Sequence, residues 1–149
     1  MVMDQEPSNE PHQIKAPDGS PLPHPRALAF LGDAVFEVKL RELAVQQGFN
    51  QSDDLHRFTT QRVNATAQAG LLQHLKPHLS ENELEIVRQA RNVAVGATRR
   101  SDQATYRQAT SFEALIGFLF LTHHDRLEKL WSDVMVPYLL EEQPLNPKK

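Results

Sequence analysis

Two carboxylates stand where a carboxylate is costly. Asp33 lies inside AFLGDAVFE (29–37), and Glu113 lies inside SFEALIGFLFL (111–121), the most apolar run of the chain. A carboxylate among apolar side chains is unfavourable unless a partner compensates it. Each acid has a glycine nearby, Gly32 before Asp33 and Gly117 one turn after Glu113. A glycine in a helix interior costs about 1 kcal/mol relative to alanine, and is tolerated where two helices must approach closely. Helices crossing at these glycines would bring Asp33 and Glu113 into one site. Two close carboxylates repel and resist ionisation, and a divalent cation between them reverses this. Oxygen ligation in a chain without cysteine favours a hard ion, Mg²⁺ with Mn²⁺ as a substitute. Such an ion can activate water for phosphodiester hydrolysis.

The spacing alone leaves a structural alternative open. Asp33 could accept from a neighbouring helix N-terminus, and Glu113 could pair with Arg91 or Arg107. Glu37 could be a third ligand, but the spacing favours an i,i+4 pair with Arg41. HHD at 123–125 resembles the metal-binding dipeptide of HD-type phosphohydrolases, and no other histidine stands at a supporting spacing.

The elements that must hold these acids read as helices, and the fold class is all-α. A first helix is expected from Pro25 to Gln47, stopped by Gly48, with Leu28, Leu31, Val35 and Val38 facing inward. Asp53 and Asp54 are expected to cap a second helix, whose stripe is Leu55, Phe58, Val63, Ala67, Leu71 and Leu75 and which Pro77 ends. Ser80 and Glu83 form a capping-box signature for a third, with Leu84, Val87 and Ala90 inward. Residues 95–106 have no period and read as a loop with adjacent Arg99 and Arg100. Residues 111–121 are apolar nearly all round, a buried central helix. Leu127, Leu130, Trp131, Val134, Met135 and Tyr138 mark the last helix.

The 149 residues suit one domain. Six of the ten prolines fall in the first 25 residues, so residues 1–22 are expected to be a disordered tail, 23–141 the domain and 142–149 a C-terminal tail. The absence of cysteine excludes disulfides and thiol chemistry. No run is apolar enough to span a bilayer and the N-terminus has no signal-peptide pattern, so a cytoplasmic protein without membrane contact is expected. A net charge of −3 gives no overall cationic field. The charge is uneven, however: residues 55–107 hold eight Lys/Arg against four acids.

FLGDAV (30–35) resembles the signature helix of the ribonuclease III family, E-x-x-E-F-L-G-D, and FEALIG (112–117) resembles that family's second motif, D-x-x-E-A-L-I-G. The resemblance covers about residues 24–140. LHRFTTQRVNATAQA (55–69), ARNVAVGATRR (90–100) and YRQATSFEALIGFLFL (106–121) look like the Mini-ribonuclease III subfamily, which has the catalytic domain without a double-stranded-RNA-binding domain; only nine residues follow residue 140.

The resemblance implies a helical, homodimeric endonuclease domain. It implies Mg²⁺-dependent cutting of both strands of an RNA duplex, leaving 5′-phosphate and 3′-hydroxyl ends. The implied substrate is the 23S ribosomal RNA precursor, trimmed near both ends, with room for a ribosomal-protein helper. Asp33 matches the catalytic aspartate and Glu113 the metal-binding glutamate. Ala29 and Arg26 replace the glutamates four and seven positions before that aspartate, and Thr110 replaces the aspartate of the second motif. The mini subfamily is expected to share these replacements. They also sustain an alternative, a non-catalytic RNA-binding or ribosome-assembly factor on the same fold. Asp53 or Asp54 is a candidate to approach the site from the second helix. The candidate RNA contacts are Arg99 and Arg100, then Arg57, Arg62 and Arg107.

Overall fold

Pro25 opens the first helix, where its fixed φ suits the first turn and its missing N–H leaves nothing unpaired. The computed structural model describes residues 14–94 and 100–141. α1 spans Pro25–Gln46 and stops, as expected, before Gly48, whose φ of +90° is open to glycine. The face it buries is the expected one only at Leu28. Leu28, Ala29, Gly32, Phe36, Leu40 and Leu43 point inward, Leu31 and Val35 are half-buried, and Val38 is 63% exposed. α1 carries two adjacent apolar stripes, and the one with the small residues takes the core, because only it allows close approach to a neighbour.

The expected second helix is two. α2 (Ser52–Val63) and α3 (Ala65–Leu75) meet at Asn64. Its amide nitrogen donates to the carbonyls of Thr60 and Gln61, and its side-chain oxygen accepts from the Ala67 N–H at 2.9 Å. One side chain thus closes one helix and caps the next. Asp53 and Asp54 sit in the first turn of α2, not at its cap, where their charge suits the helix dipole. A short 3₁₀ turn at Lys76–His78 follows α3 around Pro77.

α4 (Glu81–Val93) has the expected capping box, Ser80 and Glu83 each accepting from the other's backbone. Val87 and Ala90 are buried as expected, while Leu84 is exposed and Ile86 takes its place. Glu83 is buried too. Burial alone would push its carboxyl up, but the Arg126 guanidinium and Ser80 hold it below the ordinary range.

α5 (Arg100–Thr122) begins earlier than the sequence pattern suggests. Residues 100–106, expected in a loop, are helical: they contain no glycine or proline, and residues 102–106 are all exposed or half-buried, which accounts for the missing apolar period. From Ser111 to Leu119 every residue but Glu113 is buried, as expected of a central helix. α6 (His124–Leu130), a π turn at Trp131–Met135 and α7 (Val136–Glu141) complete the chain. Pro137 has no N–H to return to the preceding turn, and the wider turn accommodates it. That extra residue per turn moves Leu139, in place of Tyr138, to the most buried position.

α5 is the axis of the fold, packed against α1, α3 and α4. Phe36 of α1 meets Phe112 of α5 edge-on at 4.8 Å and Trp131 at 6.3 Å. Among the described residues no strand forms, only an isolated bridge between Lys15 and Pro21. That bridge and the Asp18–Ser20 turn order residues 14–22, expected within the disordered tail, and seat Ile14 and Leu22 on the core. Residues 1–13 and 142–149, the rest of the two expected tails, lie outside the described residues.

Candidate active site

α1 and α5 form the most extensive helix pair of the fold, and they touch backbone to backbone. A Cβ placed on Gly32 would stand 1.7 Å from the Glu113 carbonyl oxygen and 2.8 Å from the Gly117 nitrogen. A Cβ on Gly117 would stand 2.0 Å from the Leu28 carbonyl oxygen. The crossing at the two glycines is therefore real, and Asp33, next to Gly32, comes with it. Asp33 is exposed and Glu113 half-buried. Burial, and then the negative charge of Asp33, push the Glu113 carboxyl up from 4.5 to about 7. The two acids thus sense each other, as a shared site requires.

The structural alternatives for these acids are not realised. Among the described residues neither Asp33 nor Glu113 forms an ion pair, and neither is held by an arginine. Glu37 does pair with Arg41, at 3.1 Å. Asp54 lies 3.6 Å from Arg57, and no group of three or more His, Asp or Glu able to hold a metal occurs among the described residues, so neither Asp53 nor Asp54 joins the pair. The histidines at 123 and 124 form no such group either. Ala29 is buried against the crossing, Arg26 is exposed, and Thr110 is half-buried one turn before Glu113. The donor set is two carboxylates, which fits an ion that keeps most of its shell as water.

The candidate RNA contacts separate. Arg107 is exposed on α5. Arg57 is half-buried against Asp54. Arg62 is no surface residue at all: it is 1% exposed, donates to the carbonyls of Leu139 and Phe58 at 3.1 and 3.0 Å, and lies 3.9 Å over the Phe58 ring. A buried guanidinium tying α2 to α7 cannot reach a phosphate backbone, and the expectation for Arg62 is corrected accordingly. Arg100 begins α5, and Arg99 lies outside the described residues.

A further apolar surface, readable from the sequence, lies on α1. Leu31, Ala34, Val35 and Val38 of α1 line a groove of about 350 Å³ with Phe120, rimmed by Lys39, Glu42, His124 and Glu128. Phe30 beside it is 84% exposed and Leu121 51%. The signal was present as an excess of apolar residues in α1 over what one stripe needs, with Phe30, Val35 and Phe36 together.

Comparison with known proteins agrees with this geometry. The Ribonuclease III domain family model matches residues 26–124. The chain is 43% identical over 117 residues to Mini-ribonuclease 3 of Desulfitobacterium hafniense, covering 78% of this chain and 73% of that protein. It is 46% identical over 98 residues to Mini-ribonuclease 3 of Symbiobacterium thermophilum, covering 65% and 75%. The crystal structure of a Fusobacterium nucleatum protein superposes with a TM-score of 0.65 at 27% identity, over 78% of this chain and 92% of that one. The alternative of a non-catalytic factor finds no support in these likenesses. With its two signature acids brought together where α1 crosses α5, the chain belongs to the ribonuclease III family, within its Mini-ribonuclease 3 branch, and is an endoribonuclease.

Proposed function

We propose that this endoribonuclease cuts double-stranded RNA in a Mg²⁺-dependent reaction at Asp33 and Glu113, and that its substrate is the 23S ribosomal RNA precursor in the cytoplasm. The observation that carries the reading is the pairing of the two acids, with Glu113 half-buried and its carboxyl held near 7 by burial and by Asp33. Two such carboxylates without an arginine or lysine between them are balanced by a divalent cation. Asp33 and Glu113 would hold it, with Mn²⁺ as a substitute. When bound, the ion supplies Lewis-acid polarisation of the phosphate and an activated water.

The chain's own residues do the rest. Asp33 faces solvent, where RNA approaches, and Glu113 anchors the site from its buried side. Arg107, exposed two turns before Glu113 on α5, supports the reading of a phosphate contact on that helix, with Arg57, Arg99 and Arg100 as further candidates. Contacts of this kind are sequence-blind, so selectivity among duplexes rests on A-form shape or on a ribosomal protein that remodels the precursor. The subfamily resemblance supports the choice of substrate.

The reading includes a homodimer. The apolar groove of α1 and Phe120, with exposed Phe30, Val38 and Leu121 around it, supports a second copy as its occupant. Two copies give two acidic pairs, one for each strand. No helix among the described residues is long and apolar enough to cross a membrane.

The test is cleavage of a purified 23S precursor stem by wild type and Asp33→Asn, each with Mg²⁺ and with EDTA. Cutting by wild type with Mg²⁺ alone is expected. Near-normal cutting by Asp33→Asn, or in EDTA, would overturn the assignment.

A further inference from the structure

We infer that Gly32 and Gly117 are positioning residues of the cleavage reaction: their contact sets the gap across which Asp33 and Glu113 meet. The inference rests on those two acids being the reacting pair. What distinguishes this contact from ordinary small-residue packing is what each glycine touches. The atoms nearest a Cβ on Gly32 are the carbonyl oxygen and carbon of Glu113 itself, at 1.7 and 2.6 Å, and the Gly117 nitrogen. Those nearest a Cβ on Gly117 belong to the Leu28 carbonyl and to the Gly32 nitrogen, at 2.0, 2.9 and 3.1 Å. All are backbone, so no side chain can swing away to make room.

The chain therefore joins the two acids through two peptide units in direct contact. Asp33 follows Gly32 in sequence, and the Glu113 carbonyl lies on Gly32. The separation of the carboxylates is then set by this contact together with their own side-chain torsions. Real Cβ atoms essentially never approach closer than 3.0 Å, so a methyl at Gly32 forces the backbones apart by roughly 1.3 Å at that point. A misplacement of about 1 Å at a reacting centre costs on the order of 100-fold in rate. At Gly117 the obstruction lies against Leu28, one turn from Asp33's neighbour, so the same methyl opens the crossing at a distance from the acids. The expected order of damage is Gly32→Ala, then Gly117→Ala.

Gly70 provides the control. It also lies inside a helix, but a Cβ there meets the tip of the Tyr138 side chain, its hydroxyl oxygen, at 2.9 Å. That group can move, and neither Gly70 nor Tyr138 lies on α1 or α5, the helices that carry the acids.

The experiment compares wild type, Gly32→Ala, Gly117→Ala, Gly70→Ala and Asp33→Asn for cleavage, thermal melting and duplex binding in EDTA. Gly32→Ala is expected to lose about 100-fold in cleavage with duplex binding within about 2-fold of wild type, and Gly70→Ala to cleave within about 3-fold. Asp33→Glu is then added to Gly32→Ala. The extra methylene spans the widened gap, so the double variant should cleave faster than Gly32→Ala alone, while Asp33→Glu in the wild-type crossing slows cleavage. A role in stability alone produces no such reversal. If Gly32→Ala shows no cooperative melting, the intact crossing answers instead. Glu113→Asp shortens the reach by one methylene and should lose at least ~30-fold, and Asp33→Glu added to it should recover at least ~5-fold. A folded Gly32→Ala that cleaves like wild type, or the absence of any recovery by Asp33→Glu in either background, overturns the inference. Cleavage by Asp33→Asn would instead overturn the assignment of the acids on which it rests.

Discussion

Replacing Glu113 by glutamine should stabilise the metal-free protein and destroy its activity. The carboxyl is held near 7 in the folded chain against 4.5 as its ordinary value, by burial first and Asp33 second. The folded value lies above the unfolded one, so between pH 4.5 and 7 the folded chain keeps a proton that the unfolded chain has released. Stability is therefore highest below pH 4.5 and falls as pH rises to about 7, where the loss is complete. At 1.36 kcal/mol per unit the whole interval amounts to about 3 kcal/mol. Glu113 keeps part of its hydration, which screens the repulsion, so ~1–2 kcal/mol is the expected difference.

The assay is urea denaturation in EDTA at fixed protein concentration, at pH 8 and at pH 4. Glu113→Gln should exceed wild type by that amount at pH 8 and match it at pH 4, where both side chains are neutral. Adding Mg²⁺ at pH 8 should raise the melting temperature of wild type and leave that of Glu113→Gln little changed, because binding to the folded state alone is stabilising. A Glu113→Gln protein that is no more stable than wild type at pH 8 in EDTA would refute the reasoning, since the Glu113 carboxylate would then carry neither a burial penalty nor repulsion from Asp33 for a cation to relieve.

Arg62→Met should cost about 1–3 kcal/mol, because the Leu139 carbonyl loses the guanidinium and Phe58 keeps only its helical donor, and should leave the salt dependence of duplex binding unchanged; urea titration and binding at three salt concentrations read the two effects. Arg107→Glu should weaken duplex binding and lower its salt slope by about 1, with melting unaffected; an unaltered slope would remove Arg107 from the interface. Val38→Asp and Phe120→Asp should each shift the protein toward monomer in analytical ultracentrifugation, whereas Asp33→Asn should not; a monomeric wild type would overturn the proposed homodimer, and a dimer indifferent to both substitutions would place its interface elsewhere.

The acidic pair was legible because it breaks local rules. A glycine in a helix interior is unfavourable on its own, and the backbone-to-backbone crossing accounts for Gly32 and Gly117; of the two acids Glu113 is half-buried, while Asp33 is exposed. Two such departures, eighty residues apart, pointed to one crossing before any coordinate did. The Ser80–Glu83 box and the Gly48 stop were legible because each is local: Ser80 and Glu83 cap the helix with their own side chains, and Gly48 takes a positive φ that ends one. Asn64 was not, although it does the same work, because an asparagine within a continuous apolar stripe is as compatible with one long helix as with two.

Arg62 and α1 show where reading stops. Basic residues in a basic stretch look alike, and nothing local to Arg62 says that the Leu139 carbonyl will be waiting 77 residues later. In α1 the difficulty is sharper, since both candidate stripes are apolar. The pattern 28–31–35–38 has the larger side chains and would be chosen by hydrophobicity alone. The core instead takes 28–32–36–40, because a helix must present its smallest residues where it meets another backbone. Of the other stripe, Leu28 is shared with the core, Leu31 and Val35 are half-buried and Val38 is exposed. Leu31, Val35 and Val38 of that stripe line the apolar groove with Phe120, the surface on which the proposed second copy would sit.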